Sequence, residues 1–389
     1  MRILLVHNDY GKYSGEESVV DQMAAMWIEH GHQVVQLRMS TAGSRDSLVG
    51  KIHVFLAGLY SPKGVREMRR TLKAERPDVV NVHNLFPFIS PAALFECKKA
   101  GVPVVMTVHN FRLICPTGLF MRKGKTCELC LEKGHELGCI RYNCEHSLLK
   151  SVGYAARNAV ARYSGAYRKC VDWFACITDF QRQKLIQAGF DAGKIVVIPN
   201  SISCSTNFQS TLGDYIAYVG RLSYEKGYDL LIEVARRHPD IQFRLAGAQR
   251  MLGEVEMPKN VCFMGYLKGK ELSDFIQNAR FLAIPSRCYE GFPMAILEAA
   301  QFGKPIIGPN HGGFTEIIGE GDAAIGRLFR PGNVDDLERH VVALWNNSNE
   351  IARLGEKAHG KLLREYSTEV IYQKWDDLVQ GLLQSIPRN

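Results

Sequence analysis

Residues 279–298 read Ala279-Arg280-Phe281-Leu282-Ala283-Ile284-Pro285-Ser286-Arg287-Cys288-Tyr289-Glu290-Gly291-Phe292-Pro293-Met294-Ala295-Ile296-Leu297-Glu298. The first seven form a short apolar run without helical period, as a buried strand does. Pro293 suits the first position of a helix, where its missing N–H would be unpaired anyway. A strand that passes through a loop into a helix aims the free N–H groups of the helix start beyond the strand's carboxyl end, where they attract an anion. The same place holds two carboxylates, Glu290 in the loop and Glu298 on the helix. Taken alone, such glutamates are ordinarily surface or capping residues. A sugar diphosphonucleotide reconciles the two features: N–H groups hold the diphosphate while the carboxylates accept hydrogen bonds from sugar or ribose hydroxyls.

Outward from this stretch, short β-branched runs alternate with longer helical patterns along the whole chain, which predicts an α/β protein with parallel sheets flanked by helices. Strands are expected near 2–7, 33–38, 78–82, 103–108, 172–177 and 194–198, and again near 215–219, 242–246, 260–264, 280–285 and 305–308. The polar, aperiodic segment 201–213 reads as a linker. A chain of 389 residues is long for one core and suited to two. The expected division is an N-terminal Rossmann-like acceptor domain over 1–200, with a cysteine-rich insertion at 111–146, and a C-terminal nucleotide-sugar donor domain over 201–368. A last helix, 369–389, is expected to pack back on the first domain, with Val370, Trp375, Leu378 and Leu382 on one stripe.

Composition narrows the function. The chain is 46% hydrophobic and 23% charged, without the roughly 18 apolar residues in a row that a membrane span requires. Met1 to Asn8 is too short an apolar run for a signal peptide, so a cytoplasmic location is expected. The net charge is +8. The segment 63–73 carries Lys63, Arg66, Arg69, Arg70 and Lys73, either a solvated helix face or a docking surface for anionic lipid or an acidic substrate. No aromatic-interleaved basic motif points to nucleic acid. The loop 11–18, Gly11-Lys12-Tyr13-Ser14-Gly15-Glu16-Glu17-Ser18, lacks the spacing of a Walker loop or of a GxGxxG fingerprint, so a nucleotide hydrolase or a simple dinucleotide site is not indicated.

Glu290 and Glu298, in the form E-G-F-P-M-A-I-L-E, resemble the paired-glutamate motif of the retaining glycosyltransferase family 4, the group 1 transferases. Tyr218-Val219-Gly220-Arg221-Leu222-Ser223-Tyr224-Glu225-Lys226-Gly227 is similar to that family's strand and loop opening the C-terminal domain. Arg221 and Lys226 at a strand end would meet the charge that builds on a departing diphosphate; an exposed basic turn is the alternative. His311-Gly312-Gly313 is similar to the family's glycine pair at the donor, where two glycines let backbone approach phosphate; a plain tight turn is the alternative. The resemblance implies the GT-B fold, two doubly wound domains facing across a cleft, retention at the anomeric carbon, and no catalytic metal. It implies Glu290, His109, Arg221 and Lys226 as catalytic residues. Gly15, Gly291, Phe292, Glu298, Gly312 and Gly313 would bind the donor. His83 stands open between an acceptor-side role and a structural one. The implied function is transfer of a hexose-like sugar from a UDP- or GDP-sugar to a glycan or lipid-linked acceptor in polysaccharide or other glycoconjugate synthesis, with peripheral contact to the inner face of the cell membrane. A phosphorylase, an epimerase or a non-catalytic nucleotide-binding scaffold on the same fold is the alternative; no region for lysine-bound pyridoxal phosphate is present, as a phosphorylase would require.

The chain has 11 cysteines. Reduced and clustered thiols invite a metal before a disulfide. Cys115, Cys127, Cys130 and Cys144, with the C-x-x-C pair Cys127–Cys130, have the spacing of a structural zinc knuckle, with Cys139 as an alternative fourth ligand. An iron–sulfur cluster needs the same ligands, and free buried thiols are the remaining reading. The other cysteines read as core fillers, with alkylation of Cys288 expected to block the site beside Glu290.

Overall fold

A computed structural model describes residues 1–10, 14–43, 47–203, 205–206, 211–249 and 256–385, without the side chains of Leu48 and Lys51. The loop residues Gly11 to Tyr13 and Cys204 lie outside the described residues. Two compact units result: Met1–Gly118 with Glu128–Asn200 and the chain from Ile371 onward, and Leu119–Cys127 with Ser201–Val370.

The first unit contains β1 (Arg2–Asp9), α1 (Gly15–Glu29), β2 (Gln33–Ser40), α2 (Leu48–Leu59), α3 (Pro62–Glu75), β3 (Val79–Asn84), α4 (Leu94–Lys99) and β4 (Val104–Val108). After β4 a two-stranded hairpin, β5 (Met121–Arg122) and β6 (Lys125–Thr126), falls with the second unit. The first unit resumes with α5 (Leu129–Lys133), α6 (Leu137–Arg141), α7 (Leu148–Ser164), α8 (Ala166–Cys170), β7 (Trp173–Cys176), α9 (Asp179–Gln187) and β8 (Ile195–Val197). Its six strands lie in the order β2-β1-β3-β4-β7-β8, all parallel. β1, β3 and β4 are buried along almost their whole length, because helices cover both faces of a parallel sheet.

The second unit continues with β9 (Tyr215–Val219), α10 (Tyr228–Arg237), β10 (Gln242–Ala246), β11 (Val261–Gly265), α11 (Gly269–Gln277), β12 (Phe281–Ala283), α12 (Met294–Gln301), β13 (Ile306–Pro309), α13 (Gly313–Ile318), β14 (Gly326–Phe329), α14 (Val334–Trp345) and α15 (Ser348–Lys361). The sheet order is β11-β10-β9-β12-β13-β14, again parallel. In both sheets the order reverses beside the first strand, and ligands of such sheets bind at the carboxyl ends of the strands flanking that point.

Two expectations about boundaries change. Residues 119–127 leave the 1–200 segment for the second unit, and the chain joins the first unit again at Ile371. The last helix, α16 (Thr368–Ser385), buries Ile371, Trp375, Val379 and Leu382 in a cluster with Ile3, Leu5, Met23 and Trp27. Val370 and Leu378 are only half-buried: the i, i+4, i+8, i+11 row starting at Ile371, rather than the row starting one residue earlier, faces the core.

Candidate active site

In the second unit, β9 and β12 flank the reversal point and deliver the loops that carry chemistry. Gly220 follows β9; Gly247, after β10, has φ +151°, and a Cβ on it would collide with the Gly220 oxygen, so these two backbones meet only because Gly247 has no side chain. Arg221 is partly exposed and lies 3.4 Å from Glu225. Lys226 Nζ donates to Glu290 Oε1 at 2.5 Å, and Ser286 Oγ donates to the same oxygen at 2.6 Å. Burial alone would push the Glu290 carboxyl up, but the Lys226 ammonium, these two hydrogen bonds and Arg221 together hold it below the usual range. Glu290 is therefore a carboxylate, and Lys226 a cation fixed beside it.

Glu298, on the second turn of α12, has no such partner, and burial raises its carboxyl to about 7. Pro293 lies one residue outside α12, at its N-cap; Phe292 before it is buried against Tyr366. The glycine pair has a reason that the sequence did not show. A Cβ on Gly313 would sit 2.4 Å from the Gly291 oxygen, and one on Gly312 3.1 Å from the Glu290 oxygen. Gly313 N–H donates to Glu290 O at 2.8 Å. The pair therefore packs backbone on backbone against the loop that holds Glu290.

Three further residues complete this site. Arg287 clamps Asp229 through two bonds of 2.6 Å and donates to Tyr224 O at 2.9 Å, which ties the 286–290 loop to the start of α10. His311 Nε2 lies 3.1 Å from Ser286 O. The sequence signal for the clamp, an Arg two residues after Pro285 and an Asp two after Gly227, is too common to recognise without coordinates. Cys288 is buried and its thiol is pushed up to about 12 by burial and by Glu290, so the expected alkylation there is corrected: little thiolate forms and little reagent reaches it.

In the first unit, β1, β3 and β4 bring His7, His83 and His109 to one sheet edge. His83 Nδ1 lies 2.7 Å from His109 Nε2 with the rings stacked. Burial lowers the pKa of both, so both are neutral near pH 7. Nε2 of His83 is buried without a partner. A bare nitrogen is less costly there than an orphaned N–H, which makes His83 the donor at Nδ1 and leaves His109 with its proton on Nδ1. Around them Glu16 accepts from the Tyr10 hydroxyl at 2.9 Å and from Asn110 at 3.3 Å, and Arg112 donates to Tyr10 at 2.5 Å. Gly15 opens α1, Ser14 caps it, and nothing lies within 4 Å of a Cβ built on Gly15.

Among the thiols, Cys139 is buried; it is hydrogen-bonded to Cys144 and close to Cys115 and Cys130, and these thiols together with burial push it well up. Cys127 donates its backbone N–H to Phe120 O at 2.7 Å and belongs with the second unit. Of the expected set, Cys144 hydrogen-bonds Cys139, the residue held as the alternative, while Cys115 and Cys130 act on it electrostatically.

Comparison with known proteins gives the family. Residues 13–206 match Glycosyltransferase Family 4 and residues 209–361 match Glycosyl transferases group 1. A 2-deoxystreptamine N-acetyl-D-glucosaminyltransferase of Niallia circulans is 22% identical over 360 residues, 89% of this chain and 86% of its own. A 42.6 kDa protein of the cps region of Klebsiella pneumoniae is 25% identical over 352 residues, covering 82% and 87% of the two chains. Among solved structures, Anabaena HepE in complex with UDP and glucose superposes with a TM-score of 0.68 at 17% identity, over 98% of this chain and 100% of that one. Sucrose-phosphate synthase of Thermosynechococcus elongatus gives 0.72 at 14% identity, over 99% and 100%. The chain belongs to the group 1 glycosyltransferases, and its fold is GT-B.

Proposed function

We propose that the chain is a retaining glycosyltransferase that moves a hexose-like sugar from a UDP- or GDP-sugar to an acceptor hydroxyl. The observation that carries this reading is the Lys226–Glu290 pair beside Arg221 at the β9–β12 reversal point. Arg221, Lys226 and the N–H groups around Gly291 and Phe292 stabilise the diphosphate as the bond from the anomeric carbon to its oxygen breaks. Glu290 orients donor-sugar hydroxyls, and Glu298 takes the ribose. In the first unit, His109 donates its Nδ1–H to a sugar or phosphate oxygen. The acceptor oxygen bonds to the anomeric carbon on the face the diphosphate leaves, and its proton passes to a departing phosphate oxygen. Donors of this kind are those of UDP-complexed relatives of the same fold, and a cps-region relative supports a polysaccharide setting.

Two further parts of the reading belong to the first unit. The thiols of Cys115, Cys130, Cys139 and Cys144 hold a structural zinc ion; a set of four sulfur ligands closes the tetrahedral shell and leaves no place for substrate. An anionic bilayer is the surface on which the chain works. α2 and α7 touch where Gly153 meets Phe55, and between them expose Val49, Ile52, Leu56, Leu149, Val160 and Tyr163. The basic residues of α3 follow directly in the chain, and apolar and basic surface together suit a lipid headgroup layer. Among the described residues no helix is long and apolar enough to cross a membrane.

The test is thermal unfolding with UDP, GDP, UDP-sugars and GDP-mannose, followed by product analysis by NMR. A ligand of the folded form raises Tm by mass action, and the anomeric coupling of the product reports retention. A nucleotide that raises Tm together with a retained product supports the reading; no shift with any nucleotide, or an inverted product, overturns it.

A further inference from the structure

Beside the carboxyl end of β1 four buried polar atoms lack a hydrogen-bond partner among the described residues: both ring nitrogens of His7, Glu16 Oε1 and Glu17 Oε2. His7 is fully buried and Glu17 is 4% exposed. His7 lies between carboxylates on either side of its ring. His7 Nε2 lies 3.7 Å from Asp9 Oδ1 and His7 Nδ1 lies 4.0 Å from Glu16 Oε1. One ligand atom each from His7, Asp9 and Glu17 fall within 4.8 Å of one another.

Leaving a buried donor or acceptor unpaired is costly, so four in one place call for a species that satisfies them together. Asp9 has a cation, Arg38 at 3.1 Å, and Glu16 has Tyr10 and Asn110 on its other oxygen. Glu17 receives only the Tyr10 backbone N–H on Oε1 at 3.2 Å. Three carboxylates thus stand against two cations there, Arg38 on Asp9 and Arg112 near Glu16, which favours a cation over an anion.

We propose that His7, Asp9 and Glu17 bind a divalent cation of the Mn²⁺ or Mg²⁺ kind, with Glu16 placed to accept a hydrogen bond from one of its waters. Two carboxylates and one imidazole are a ligand set for such ions, and three protein ligands leave positions for water. The ion ties the end of β1, through His7 and Asp9, to the first turn of α1, through Glu17. It is a positional ion of the first unit, and its presence does not depend on the roles given to Glu290 and Lys226.

The experiment uses the full chain as purified, exchanged into buffer without added divalent cations and titrated with Mn²⁺ alone, without nucleotide, free Mn²⁺ being followed by electron paramagnetic resonance. Mn²⁺ avoids the thiol cluster, because soft sulfur ligands select zinc. One ion per chain is expected. Glu17→Gln should weaken it by more than the roughly 10-fold that even an outer-shell partner costs. Circular dichroism confirms that the variant is folded, and Asp9→Asn, at a partly exposed site, repeats the test if Glu17→Gln does not fold. No Mn²⁺ bound by folded wild type, or equal affinity in a folded variant, overturns the proposal whatever the nucleotide assays show.

Discussion

Glu290 and Glu298 share a motif and have opposite electrostatic environments. Lys226 and Ser286 keep Glu290 ionised, so Glu290→Gln and Lys226→Ala should each lower kcat by about 10²–10³, the scale of losing one preorganised charge contact, with smaller changes in Tm. Glu298 is the reverse: burial raises its pKa from 4.5 to about 7. The folded protein then holds a proton that the unfolded chain loses between those values, so stability from this group falls as pH rises from 4.5 to 7 and stays lower above it. Glu298→Gln should accordingly melt close to wild type at pH 5 and above it at pH 8. A ribose that donates to the carboxylate selects the ionised form, so nucleotide affinity should rise with pH through 7 in wild type and lose that dependence in the variant; calorimetry at three pH values decides.

The glycines of the second unit act at the scale of elements. Gly313→Ala drives a Cβ to 2.4 Å from the Gly291 oxygen, which either parts α13 from the 290–291 loop or strains both; a loss of about 1–3 kcal/mol with a marked loss of activity is expected in denaturant titration and transfer assays. Gly15→Ala meets open space and should change stability by no more than about 0.5 kcal/mol. Strand–loop–helix order, and with it the fold class, was readable because buried parallel strands give unbroken apolar runs such as Val79 to Val82. β14 was not: Gly326-Arg327-Leu328-Phe329 has too few residues and an exposed arginine. β5 and β6 are two residues each, too short for any period. Within the site, the motif residues could be read from spacing, whereas His7 was read only as one residue of a strand. The Arg287–Asp229 clamp joins residues 58 apart in sequence, and no local pattern marks such a pair.

For the whole molecule, the telling feature is α16, whose Trp375 is 2% exposed in the core of the first unit. Trp375→Ala should cost about 3–5 kcal/mol, lowering the transition of the first unit in a thermal scan while the second, probed by nucleotide protection, changes less. The same helix governs the timing of folding. Translation delivers residues 1–200 first, yet the surface formed by Ile3, Met23 and Trp27 has its cover encoded beyond residue 370. At about 5–20 residues per second, roughly 10 to 30 s separate the two. Through that interval a nascent chain carries an open apolar face that α16 later closes, and a message cut short before residue 370 leaves that face for chaperones and proteases to find.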